Sequence, residues 1–134
     1  MHRTLNALLL AAITTVGAPS AGAHHSFAAE FDANSPIELT GTVTKVAWAN
    51  PHTFFYIDVT ATNGDIENWA LEMGSPNGLM RRGWTRDTMK IGDTVIVTGS
   101  RAKDGSFKGN ARSVMLSTGK RLFAGSSQDN AEAN

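Results

Sequence analysis

Ile37-Glu38-Leu39-Thr40-Gly41-Thr42-Val43-Thr44-Lys45-Val46-Ala47-Trp48 is the stretch whose pattern decides the fold. Apolar side chains occupy odd positions early (Ile37, Leu39, Val43) and even positions late (Val46, Trp48). Side chains of a strand alternate between faces, so this change of parity predicts a bulge or sharp coil near Thr44-Lys45. A strand coiled in this way can serve two parts of one curled sheet.

Working outward, Thr53 to Thr60 is rich in β-branched and aromatic residues and predicts a second strand. Asn63-Gly64 is a hairpin turn, and Ile66 to Met73 returns as a third strand with Trp69, Leu71 and Met73 on one face. Ser75-Pro76 has the form of a helix start, with serine as cap and proline at the first position. Gly78 and Gly83 keep that helix short. Ile91-Gly92-Asp93 turns the chain into a strand over Thr94 to Ser100. Asp104-Gly105 is a second hairpin signal, and Lys108 to Leu116 a fifth strand. Thr118-Gly119 leads into a short last strand through Leu122 and Phe123. Three strands, a short helix, then two or three strands is the order of a mainly β, OB-like barrel; a small β-sandwich is the alternative.

The two ends have a different character. Residues 1–23 have the form of a secretory signal, with His2 and Arg3 before an apolar run from Leu5 to Val16. Pro19 and Ala21-Gly22-Ala23 then supply the small-x-small cleavage pattern. The run is too short to span a bilayer, which takes about 20 residues. Cleavage after Ala23 leaves 134 − 23 = 111 residues beginning at His24, with 11 basic against 12 acidic side chains once Arg3 is gone. The expected location is periplasmic or secreted. Residues 24–124 form the expected barrel domain, and 125–134 a disordered polar tail.

Three blocks carry a resemblance. His24-His25-Ser26-Phe27-Ala28-Ala29-Glu30-Phe31-Asp32, Asn50-Pro51-His52-Thr53-Phe54-Phe55, and Ser75-Pro76-Asn77-Gly78-Leu79-Met80-Arg81-Arg82-Gly83-Trp84 resemble a family of small exported bacterial proteins of unknown function. Gly92 to Gly99, a Gly-Asp-x-Val-x-Val-x-Gly stretch, is also similar to periplasmic bacterial OB-fold proteins. The resemblance implies export and an OB-like barrel. It implies no activity.

Composition narrows the function. The full chain has a formal net charge of +0 with 12 basic and 12 acidic residues, which disfavours binding nucleic acid through its phosphates. Cysteine is absent, which removes disulfides, thiolate zinc sites and cysteine nucleophiles. No Gly-x-Ser-x-Gly elbow, His-Glu-x-x-His pair or phosphate loop occurs, so the expectation is a binding protein, not an enzyme.

Two constellations remain. In a chain that begins at His24, the free α-amine and the imidazole chelate one metal, and His52 or His25 adds a second imidazole. Nitrogen-rich tetragonal ligation selects Cu(II) first and Ni(II) second. Glu30, Asp32 and Glu72 are candidate extra ligands or acceptors for an imidazole N–H. The bland alternatives are an unliganded terminus, a loop histidine and surface carboxylates. The second constellation is Trp48, Asn50, Trp69, Arg81, Arg82 and Trp84, with Arg86, which suits a small anionic or aromatic ligand or a protein partner in the envelope. Its alternative is that the tryptophans fill the core and the arginines are solvated. A purely structural accessory subunit of an envelope complex, with no small ligand, is the third reading.

Overall fold

The computed structural model describes the backbone of residues 24–125, and side chains from Phe27 onward. The expected signal segment and most of the expected tail lie outside the described residues. The elements in chain order are α1 (His24–Glu30), β1 (Phe31–Ala47), β2 (Phe54–Thr60), β3 (Ile66–Glu72), α2 (Pro76–Met80), β4 (Thr94–Ala102), β5 (Lys108–Met115) and β6 (Arg121–Phe123).

One six-stranded sheet runs β3-β2-β1-β4-β5-β6 and closes on itself through an added β3–β5 pairing. That closure is parallel, with Ala70 opposite Lys108, Leu71 opposite Gly109 and Glu72 opposite Asn110. The strands therefore form a ring of OB-like order, and two stacked sheets, the sandwich alternative, are not the architecture. β5 gives one edge to β4 and divides the other between β3 and β6.

β1 makes the ring possible. From Phe31 to Thr42 it pairs with β4, and from Thr42 to Ala47 with β2. The register shifts between Val43 and Lys45, where the change of apolar parity predicts a bulge. The strand starts six residues earlier than Ile37, because Phe31 and Asp32 pair with Ala102 and Arg101 across an irregular stretch. Asp32-Ala33-Asn34-Ser35-Pro36 has no apolar alternation to reveal this. Helix α1 is likewise an addition to the expected elements.

Local chemistry fixes the connections. Ser75 caps α2, its hydroxyl accepting from Gly78 N at 3.2 Å, with Pro76 in the first turn. The two hairpin glycines, Gly64 and Gly105, have φ of +90° and +76°, backbone that side chains avoid. The Asn50–Pro51 peptide is cis.

The interior takes one face of each strand. Val43, Phe55, Ile57, Trp69, Leu71, Val95, Val97 and Val114 are buried together, and Leu79 of α2 plugs the cluster from one end. Trp84 is 2% exposed and its indole Nε1 donates to Phe123 O at 2.8 Å, so a core side chain ties down the last strand. Burying a large aromatic and satisfying its one polar atom is the usual solution for tryptophan in a small core.

Candidate functional site

The loop between β1 and β2 separates the candidate residues. Trp48 turns toward a narrow apolar crevice that it shares with Val46, Met73, Trp84, Thr85, Arg86 and Met89. Asn50 is exposed. His52, two residues on, sits against Glu72: the imidazole Nδ1 contacts the carboxylate Oε1. Among the described residues Nε2 has no hydrogen-bond partner, and the side chain is 37% exposed.

The fold explains why these two meet. Thr53 continues the β2–β3 ladder, its N–H donating to Gly74 O at 3.1 Å and its carbonyl accepting from Met73 N at 2.8 Å. His52 is therefore delivered to the end of β3 where Glu72 lies. Phe54 is the direct cross-strand partner of Glu72, so both side chains share the outer face. Glu72 is nonetheless only 8% exposed. Burial pushes its carboxyl above the usual 4.5, opposed by the charge and hydrogen bond of His52; the nearby Glu30 adds to the rise and Lys108 reduces it.

The N-terminal segment comes to the same place. Phe31 is buried, and Phe27, one turn earlier, has its ring 5.6 Å from that of Phe31. Lys103 N donates to Glu30 O at 2.9 Å, and Lys103 Nζ to Ala28 O. The ammonium of Lys108 contacts the Glu30 carboxylate and lies over two rings, 5.8 Å from Phe31 and 5.7 Å from Phe54. His52–Glu72 and Lys108–Glu30 are thus two contacting pairs, close enough that Glu30 and Lys108 both act on the Glu72 carboxyl. The backbone of His24 and His25 opens α1. Among the described residues no three metal-binding side chains converge. The other two candidate carboxylates have their own partners: Glu30 pairs with Lys108, and Asp32 accepts from Asn34 N at 2.9 Å.

The tryptophan–arginine set does not assemble into one surface. Trp69 is in the core at 4% exposure; its Nε1 donates to Glu67 Oε2 at 3.0 Å, the Phe107 ring centroid lies 5.5 Å from its own, and the Arg101 guanidinium lies 5.3 Å from its ring centroid. Trp84 fills the core beside Trp48, in a crevice too tight for a water-sized sphere. Arg82 covers the Phe123 ring at 4.2 Å and donates to Gly125 O at 3.1 Å, while Arg81 caps α2 and Arg86 is exposed. On Trp69 the neighbouring ring and guanidinium positions are already occupied by Phe107 and Arg101.

Lys108 escaped the sequence reading. A lysine opening a strand looks like ordinary surface charge, and nothing local announces that β5 will lie parallel to β3. Among the described residues no helix is long and apolar enough to cross a membrane.

Residues 12–111 match a protein family described as a family of unknown function, DUF6152. The match spans most of the chain, which therefore belongs to that family. No curated protein matches it.

Proposed function

We propose that the protein is an exported metal-binding protein whose cargo is Cu(II), held by nitrogen ligands from the mature N-terminus and His52. The observation that carries this reading is the His52–Glu72 contact. A carboxylate on one ring nitrogen fixes tautomer and orientation and makes the other nitrogen a better donor, which is the habitual environment of a metal-ligating histidine. Nδ1 faces Glu72, so Nε2 is the ligand atom.

The docking of α1 supports the second half of the reading. Glu30 ends the helix that His24 begins, and its charge is felt at Glu72. At 1.5 Å per residue the first histidine lies about 9 Å along the axis from that anchor. Cleavage after Ala23 gives His24 a free α-amine, which titrates near 7.7–8 and yields its proton at modest cost near neutral pH. His25 is the alternate imidazole. The protein binds its cargo and does not transform a substrate.

The test is a Cu(II) titration of the chain that begins at His24, followed by EPR, against a chain with one extra methionine. One-to-one binding that the extra residue abolishes, with a nitrogen-coupled spectrum simplified in His52→Ala, is the expected result. Weak and equal binding by both forms would overturn the reading.

A further inference from the structure

We infer that Lys108 is the latch that fixes the histidine-bearing helix α1 onto the barrel beside His52, and so a positioning residue for the site proposed above. The inference rests on that reading for its purpose, but the latch itself is a statement about the metal-free protein.

Three contacts point to Lys108. Its ammonium meets the carboxylate of Glu30, the last residue of α1. It lies over Phe31, the first residue of β1, and over Phe54, the residue opposite Glu72. One cation therefore touches the arm through a charge and a ring, and the site through another ring. A cation over an aromatic face is attracted by its quadrupole, and a carboxylate beside it adds a charge-assisted hydrogen bond. Lys108 is also at the first pair of the parallel β3–β5 closure, opposite Ala70, so its Cα is fixed by the sheet. Among the described residues Lys103 meets α1 at two main-chain carbonyls, those of Ala28 and Glu30.

Among the described residues a few contacts hold the arm. α1 is seven residues long, too short to be stable alone, and Ala28, Ala29 and Glu30 are exposed. Its order depends on Phe31 and on the lysines. A latched arm brings the N-terminal nitrogens to His52 at high effective concentration; a free arm searches a larger volume and binds metal more weakly.

The experiment combines amide hydrogen exchange of residues 24–30 without metal with Cu(II) affinity, both on the chain beginning at His24. The variants are Lys108→Met, which keeps length and removes charge, and the exchange pair Glu30→Lys with Lys108→Glu. An exposed ion pair of this kind predicts exchange about fivefold faster in Lys108→Met, and partial recovery in the charge-reversed pair. Copper affinity falls in parallel, while the His52 contribution to the EPR spectrum of the residual complex weakens. Unchanged protection of α1 in Lys108→Met overturns the latch whatever copper does. Faster exchange with no change in copper affinity overturns its positioning role. A freed arm in a protein that binds no copper in any form supports the latch and overturns the function proposed above.

Discussion

His52 and Glu72 are twenty residues apart in the chain and in contact through Nδ1 and Oε1, at the point where the β2–β3 ladder ends. The pair is asymmetric. His52 is partly open to solvent, whereas Glu72 is nearly covered, so the cost of the contact falls on the carboxylate.

That asymmetry sets a pH dependence. Burial raises the Glu72 carboxyl above 4.5, so the folded chain holds this proton more tightly than the unfolded chain. The stability it contributes is fully present below the unfolded value and is lost as pH rises through the folded one. Glu72→Gln cannot follow. In metal-free protein the Tm of the variant minus that of the parent should become more positive as the pH is raised from below 4.5 through the elevated range of the folded Glu72 carboxyl. A pH-independent difference in thermal melts would refute the assignment.

The same substitution separates stability from binding. Glutamine keeps the shape of the side chain but loses the charge that orients His52. Loss of such a partner costs about 10–100-fold in metal affinity, so isothermal titration of Glu72→Gln with Cu(II) should show a fall of that size.

Trp84 is a fastener as well as filler. Trp84→Phe keeps most of the volume but strands the Phe123 carbonyl, at a cost of about 1–3 kcal/mol. Trp84→Ala adds a cavity and should cost about 3–5 kcal/mol in urea denaturation. In both variants amide exchange of β6 should rise first.

Two glycines of the ring give opposite outcomes. A Cβ at Gly99 would lie 1.9 Å from Asn110 O, which is backbone of the paired strand, so Gly99→Ala must break the β4–β5 ladder there. A loss of about 4 kcal/mol or more, or failure to fold, is expected. A Cβ at Gly109 would meet the end of the Ile37 side chain at 2.5 Å, and that methyl can move. Gly109→Ala should fold and lose about 1–3 kcal/mol. Denaturant midpoints of the two variants decide the matter.

Much of the ring was legible in the sequence because its signals are local. The parity change before Lys45, the glycines of the two hairpins and the Ser75-Pro76 start each follow from a few neighbouring residues. The first part of β1 left no such trace, since Asp32 to Pro36 pairs irregularly and alternates nothing. The site was legible only as ingredients. His52 and Glu72 stand out as a histidine and a carboxylate, but their meeting depends on register across a hairpin. Lys108 depends on a parallel pairing with residues nearly forty positions away. Indoles and guanidiniums clustered in the sequence are, in space, divided between core packing and local stacking.

The parallel β3–β5 closure also orders events in time. Hairpins β2–β3 and β4–β5 need only short loops to form, whereas Ala70 can meet Lys108 only after α2 and all of β4 have been threaded between them. Such distant pairings carry a large loop entropy and make β folds slow to complete. Until β5 arrives, the edge of β3 beyond Trp69 is an open template for another chain. A chain cut short before Lys108 is therefore an aggregation hazard even though four of its strands are already present.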